Sequence, residues 1–318
     1  MITFVTGGLG FIGSNFAISH LKRYPSQELF ILDNQSYSGN KSNLNGYWDD
    51  WRLNSKLIDI RNLEALEAMY ATFTPEITYH FAAESHVDNS IAGDDIFVAT
   101  NILGTHNILK CVRKYGGRLI HISTDEVYGS LPLEGDDKFS EETPYNPRNP
   151  YSATKAASDH LVRAYTNTHG LDAIVTNCSN NYGPRQHSEK FVPTVIRHIQ
   201  NNKPVPVYGN GQNVRDWLFV EDHCDALLTI AEKAKKGERY NIGGGVELSN
   251  VEMVSMILDV MGKPVHMYQD WIRFVEDRKG HDLRYAMDSS KLLRDLGWNA
   301  KCELAKGLEK TVEWYRNA

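Results

Sequence analysis

The sequence lacks any apolar run approaching the roughly 20 residues that a membrane-spanning helix needs. It is short of cysteine, with Cys111, Cys178, Cys224 and Cys302 scattered and no Cys-x-x-Cys pair among them. That spacing speaks against a disulfide framework or a thiolate metal site, and for free thiols in a reducing compartment. Positive charge is not in surplus: 34 Lys and Arg stand against 40 Asp and Glu, a net charge of -6 and a pI near 6.1. A nucleic acid or an acidic membrane would want a basic face, so neither is expected as a partner. A small polyanionic substrate stays open, because a few local basic residues suffice to hold one. No cluster of His, Cys and acids has metal-ligand spacing, so no metal is expected. The stretch from Met1 to Gly7 lacks the basic start and small-residue cleavage site of a secretory leader, which makes the cytoplasm the expected location.

What the chain does contain is the composition of a globular protein, 41% hydrophobic and 23% charged, in 318 residues, enough for one large or two modest domains. It opens with an apolar strand, Ile2 to Thr6, then Gly7-Gly8-Leu9-Gly10-Phe11-Ile12-Gly13 and a helical pattern to about Tyr24. Glycines 7, 10 and 13 allow a tight turn, close approach of a pyrophosphate and close packing of helix on strand. Their spacing is Gly-x-x-Gly-x-x-Gly rather than Gly-x-Gly-x-x-Gly, yet the strand before and the helix after are the setting of a dinucleotide-binding turn. A second strand, Leu29 to Leu32, ends in Asp33, placed to accept hydrogen bonds from adenosine ribose hydroxyls. A carboxylate there would repel a 2'-phosphate, which favours NAD over NADP. An Asp capping the next turn beside Asn34 and Ser36 would explain the same letters. The following strand, Lys56 to Asp59, ends in an acid within reach of the adenine. Strand Ile77 to Phe81 runs into Ala82-Ala83, small residues that let a cofactor lie against the backbone. His86 reads equally well as a ligand contact or a structural hydrogen-bonder.

Strand Leu119 to Ile122 leads into Ser123-Thr124-Asp125-Glu126. Ligands of open α/β sheets bind beyond the carboxyl ends of the strands. Two adjacent acids at that point can divide the removal of one proton and the delivery of another. A polar turn with two solvated carboxylates would look the same. After a Pro-, Glu- and Asp-rich stretch from Leu131 to Pro150, which reads as a surface loop, a helix begins at Tyr151-Ser152-Ala153-Thr154-Lys155. Tyr151 and Lys155 share one face of it. The ammonium is expected to lower the phenol pKa and make Tyr151 a usable base, although Tyr-x-x-x-Lys alone is common. Beyond strand Ala173 to Asn177 the sheet pattern weakens. Helices are expected over 190–201 and 222–234, with a strand over 205–208. The capping box Ser249-Asn250-Val251-Glu252 predicts a helix to about Gly262, with Met253, Met256 and Ile257 in its core.

The glycine-rich turn, the hydroxyl at a strand end and Tyr-x-x-x-Lys together resemble the extended branch of the short-chain dehydrogenase/reductase family, whose members act on nucleotide sugars. The likeness is sharpest to the dTDP-glucose 4,6-dehydratases. It runs through Thr6 to Asn15, Ala82 to Asp88, Ser123 to Gly129 and Cys178 to Pro184, then Glu189 to Pro193, Pro204 to Gly209, Arg215-Asp216-Trp217 and Asp277 to Ala286. Asp125-Glu126 discriminates best, because related epimerases and decarboxylases generally carry small or hydroxyl residues there. Asn89 and Asn177 stand where many relatives have arginine, and Lys279 replaces a proline. These departures bear on the base and on substrate specificity, not on the acids or the Tyr-Lys face.

The resemblance implies an α/β fold, a Rossmann-type doubly wound parallel sheet with a smaller mixed α/β carboxyl-terminal substrate domain. Residues 1–177 with 212–243 would bind NAD, and 178–211 with 244–318 the nucleotide sugar. NAD would be held by Gly7, Gly10, Phe11, Ile12 and Gly13, by Asp33, Asn34, Gln35 and Ser36, and by Asp59 and Ile60. Phe81, Ala82, Ala83, Ser85, Thr100, Tyr151, Lys155 and Asn181 would complete that site. The sugar nucleotide would meet Ser85, His86, Thr124, Asn180, Lys190 and Phe191, then Pro206, Val207 and Tyr208, with Asn250 and His281 beyond. Arg215 and Arg278 would take the diphosphate, since guanidinium forks match phosphate oxygens. The implied reaction turns dTDP-glucose into dTDP-4-keto-6-deoxyglucose and water. Tyr151, with Lys155, takes the C4 hydroxyl proton as hydride passes to NAD. Glu126 then removes the C5 proton, Asp125 protonates the leaving C6 hydroxyl, and the hydride returns to C6, while Thr124 orients the sugar. Two alternatives remain: UDP-glucose as the substrate, or a 4-epimerase, which has no task for the two acids. A decarboxylase would need a basic pocket that the chain does not show, and an NAD-binding sensor could do without Tyr151 or Lys155. The family expectation is a homodimer pairing helices near 94–115 and 151–169.

Overall fold

The structure, a computed structural model, describes residues 1–264 and 268–317. Strands β1 (Ile2–Thr6), β2 (Glu28–Asp33), β3 (Leu53–Leu57), β4 (Ile77–His80), β5 (Arg118–Thr124) and β6 (Ala173–Cys178) alternate with helical segments. Then β7 (Asn180–Tyr182), β8 (Val205–Tyr208) and β9 (Val214–Phe219) leave the series, β10 (Arg239–Ile242) rejoins it, and β11 (Glu247–Ser249) and β12 (Ile272–Val275) follow. Seven strands form one sheet in the order β3-β2-β1-β4-β5-β6-β10, each neighbouring pair parallel. The order reverses between β1 and β4, which opens a crevice beyond the carboxyl ends. This is the expected Rossmann-type doubly wound sheet.

Side chains alternate across each strand, and here both faces are covered. Phe4, Phe30, Leu32 and Leu119 pack with Leu66, Met69, Ile108 and Val162 on one side. Val5, Leu29, Ile31, Ile120 and Ile122 pack with Phe16, Leu21, Leu227 and Ile230 on the other. Each such side chain contributes about 1.5–3 kcal/mol on burial. The same alternation turns His121 and Ser123 toward the helix Pro150–His169.

A second lobe carries the sheets β11-β9-β7 and β12-β8. Helices Phe191–Gln200, Asn250–Val260 and Leu304–Asn317 enclose its core of Val195, Ile196, Trp217, Met253, Ile257 and Leu308. The capping box forms as its spacing predicts: Ser249 Oγ accepts from Glu252 N at 3.2 Å, and Glu252 Oε2 accepts from Ser249 N at 2.7 Å.

Two expectations shift. The strand expected over 56–59 lies at β3, because its parallel register with β2 begins at Leu53 opposite Leu29 and ends at Leu57 opposite Asp33. Asp59 therefore falls in the turn beyond. The helix expected over 94–115 contains a wider turn, Val98–Gly104, before Thr105–Tyr115. A Cβ on Gly104 would lie 2.5 Å from Ile60 Cδ1, so the glycine permits that approach. Among the described residues no helix is long and apolar enough to cross a membrane.

Candidate active site

At the glycine turn the crevice floor is bare backbone. Gly7 has φ +69°, and a Cβ there would lie 2.7 Å from Ala82 N; one on Gly13 would lie 2.3 Å from Gly7 O. The helix Phe11–Arg23 starts here with no side-chain cap, leaving its first amides to a ligand such as a pyrophosphate. At the end of β2, Asp33 Oδ2 accepts from Leu9 N at 3.0 Å and Oδ1 from Gln35 N at 2.7 Å. Each oxygen keeps a lone pair for a ribose hydroxyl. Burial raises the pKa of this carboxyl.

A cavity of about 280 Å³ runs from this turn to the end of β5. Gly7, Gly10, Phe11, Ile12, Gly13, Asp33, Asn34, Ser36 and Ile60 line it. So do Phe81, Ala82, Ala83, Ser85, Thr100 and Asn181. Gln35 and Asp59 do not. Asp59 is gripped by its neighbour Arg61, whose hydrogen bonds at 2.5 and 3.0 Å hold its pKa down to about 2. An adenine would have to compete with that guanidinium.

Thr124, Asp125, Glu126, Tyr151 and Lys155 meet at the far end of the cavity. Thr124 Oγ1 donates to Asp125 Oδ1 at 3.1 Å and accepts from Glu126 N at 3.3 Å, while Asp125 Oδ2 is buried without a partner among the described residues. Burial, with Glu126 and Asp216 nearby, lifts the Asp125 pKa well above the usual carboxylate value. Burial raises Glu126 too, opposed by Asn149 Nδ2, which donates to its Oε2 at 3.1 Å. The environment thus separates a strongly raised acid from a neighbouring, better stabilised carboxylate.

One electrostatic expectation is reversed. Burial, then the charge of Glu126, pushes the Tyr151 phenol well above its ordinary value instead of toward neutrality. The Lys155 ammonium donates to Ile122 O at 2.8 Å, and burial lowers its own pKa.

The candidate substrate residues divide. Asn180 and Lys190 line the cavity, and Lys190 Nζ donates to Ser85 O at 3.0 Å. Arg215 is buried, donates to Asp282 O at 3.0 Å and lies over the Tyr285 ring at 4.3 Å; its charge opposes the upward shift of both acids. Arg278 grips Asp88 at 2.6 and 2.9 Å beneath Tyr208. His281 Nδ1 is 2.7 Å from Asp277. His86 heads the short helix Val87–Ala92, its Nδ1 accepting from Asn89 N at 3.4 Å. Phe191 stacks on Trp217, and Val207 is wholly buried in the second core, so neither side chain faces the cavity. Pro206 is half-buried beside it in β8, and Asn250 heads the helix Asn250–Val260, its amide donating to Asn213 O.

A family model described as GDP-mannose 4,6 dehydratase matches residues 4–311. The dTDP-glucose 4,6-dehydratase of Neisseria meningitidis serogroup B is 46% identical, over 98% of this chain and 92% of that protein. The dTDP-glucose 4,6-dehydratase 1 of Escherichia coli K12 is 44% identical, over 98% and 91%. The chain belongs to the dTDP-glucose 4,6-dehydratase family. A dTDP-glucose 4,6-dehydratase from Streptomyces venezuelae, solved with NAD and TYD bound, has a TM-score of 0.94 and 43% identity, covering 100% of this chain and 97% of that one. A UDP-glucose 4-epimerase from Thermotoga maritima reaches 0.91 at 28% identity, covering 100% and 99%. Backbone shape therefore does not separate dehydratase from epimerase, and the side chains of the crevice must.

In this family member two groups beside the acids escaped the reading of the sequence. Asn149 caps the helix Pro150–His169 through Ser152 N at 2.8 Å and holds Glu126 with the same side chain. Asn before Pro at a helix start signals the cap, but nothing local signals the second bond. The other is Asp159, fully buried two turns into that helix.

Proposed function

We propose that this chain dehydrates dTDP-glucose to dTDP-4-keto-6-deoxyglucose and water, with NAD as resident cofactor. One observation carries the reading: two adjacent buried carboxyls at the end of β5, both raised in pKa by burial and Asp125 well above the ordinary value, beside Tyr151 in the same cavity. A 4-epimerase has no use for them.

The bare turn at Gly7 and Gly13 and the two-amide hold on Asp33 fit NAD. When bound, NAD supplies a hydride acceptor for C4, a hydride donor for C6 and, when oxidised, positive charge. Tyr151 takes the C4 hydroxyl proton. Because burial and Glu126 hold its phenol high, it acts as a base only with positive charge beside it; Lys155, four residues on along the same helix face, is placed to supply part of that charge. The 4-ketone acidifies C5, Glu126 removes that proton, and Asp125 gives its own to the C6 hydroxyl, which leaves as water. Glu126 then returns its proton to C5, and the proton on Tyr151 resets Asp125 through solvent. Hydride leaves and returns, so no net redox occurs. Thr124 orients the sugar at C4. Residues 1–177 with 220–243 serve the cofactor and the second lobe the nucleotide; β9, with Arg215 and Trp217, packs in that lobe and not with the rest of the expected span 212–243.

The exposed apolar side chains Ile91, Ile96, Val98 and Leu103 support pairing of two copies along 94–115 and 151–169. The free thiols Cys111, Cys178, Cys224 and Cys302 support a cytoplasmic location.

The test is parallel incubation with dTDP-glucose and UDP-glucose, following the alkali-induced absorbance of a 4-keto-6-deoxy product. A strong signal with the dTDP sugar and little with UDP is expected. A preference for UDP overturns the substrate; epimerised sugar without keto product overturns the reaction.

A further inference from the structure

Asp159 takes no part in these proton transfers, yet it lies wholly buried between the two halves of the site. It is one helical turn beyond Lys155 and two beyond Tyr151, on their face of the helix. Four donors converge on it: His121 Nε2 at 3.1 Å, Ser123 Oγ at 2.8 Å, Tyr145 OH at 2.9 Å and Asn177 Nδ2 at 3.2 Å. They come from β5, from the loop before the helix and from β6. Ser123 adjoins Thr124, and Asn177 Nδ2 also donates to Thr124 O at 3.1 Å. A buried charge is weak evidence of a stabilising role, since an apolar group of the same volume often serves as well. A carboxylate with every donor aimed at the junction of two catalytic elements has a better explanation.

We infer that Asp159 is a positioning residue that ties the Tyr151–Lys155 face of the helix to the strand end bearing Asp125 and Glu126. It also keeps an anion beside the Lys155 ammonium. The inference rests on reading Tyr151 and Lys155 as base and partner. Burial lowers the Lys155 pKa, and the charge of Asp159, with Cys178 alongside, opposes that. His121 and His80, the other titratable groups facing this ammonium, are both kept neutral by burial. Tyr128, Tyr145 and Arg239 face Asp159 from the other side, with the Arg239 guanidinium 5.1 Å from the Tyr145 ring centre. Burial alone would raise the Asp159 pKa, yet the hydrogen bonds from His121 and Ser123 and the charge of Lys155 hold it below the ordinary value.

The test is Asp159→Asn in the full chain with NAD bound, read by NMR of carbon-13-labelled lysine, the Lys155 signal assigned by its loss in Lys155→Met. Removing the anion should lower the Lys155 midpoint by about one pH unit or more and shift the alkaline limb of kcat downward, with KM within about twofold. An unmoved midpoint overturns the inference. Should Asp159→Asn not fold, Tyr145→Phe and Ser123→Ala each remove one tether and no charge. A kcat about tenfold lower at unchanged KM supports the role, and wild-type kcat in both overturns it. Wild-type protein that forms no keto product in the same runs would overturn the proposed reaction, while the lysine midpoint would still judge Asp159.

Discussion

The floor of the crevice and the rim of the second lobe are built in opposite ways. On the floor, Thr124, Asp125, Tyr151 and Lys155 are each less than a tenth exposed, fixed by partners on several elements, and Asp125 keeps one oxygen unspent among the described residues. At the rim, Arg278, Tyr208 and His281 are satisfied by each other and by the acids Asp88 and Asp277. The floor is preorganised and its electrostatic cost is met by the fold, as catalysis requires. Under the proposed function the rim would exchange an internal ion pair for a ligand, so it would contribute to affinity and be screened by solvent. Changes on the floor should strike rate or cofactor retention, and changes on the rim should strike binding.

The largest effect is expected for Glu126→Gln. It should leave C4 oxidation intact and lower dehydration by about 10²–10⁴-fold, so that NADH absorbance accumulates on the protein after sugar is added. Normal turnover would end the assignment of roles. Next comes Gly13→Val, whose Cβ would sit 2.3 Å from Gly7 O and 2.8 Å from Gly8 Cα, both backbone. The turn must open, and affinity for NAD, titrated by calorimetry, should fall by about tenfold or more. Arg278→Ala should raise KM by about tenfold with kcat within about twofold. A fall in kcat instead would mean that the rim acts in the transition state, and the comparison would fail.

The smallest effect sharpens the contrast through stability. The pKa of Asp125 is raised in the folded chain, chiefly by burial. Between the unfolded value and the raised one the folded state binds more protons than the unfolded state, so stability falls as pH rises through that window. Asp125→Asn removes the penalty. Its melting temperature should exceed that of wild type by a few degrees near pH 8 and match it below about pH 4. Equal melting at both would mean that Asp125 ionises freely.

Much of the fold was legible because its signals are local. Apolar runs of strand length, the glycine turn and the capping box at Ser249 depend on neighbours within one turn or strand. Tyr151 and Lys155 were legible for the same reason, as was Thr124-Asp125-Glu126 at a strand end. The start of β3 was not, since an edge strand takes its register from β2 and exposes Leu57. Nor was the pairing of Asp59 with Arg61, which a ligand at Asp59 would have to meet.

The sequence by itself determined the doubly wound sheet, the glycine-rich turn and the placing of Thr124, Asp125, Glu126, Tyr151 and Lys155 at its crevice, because backbone geometry converts spacing directly into shared faces. Only the tertiary structure decided their charge states and their alignment. Whether Asp125 keeps its proton, how high the Tyr151 phenol lies, and that Asn149 and Asp159 hold the two halves together all depend on groups distant in sequence sharing one water-poor site. There desolvation and charge act over distances that no local pattern records.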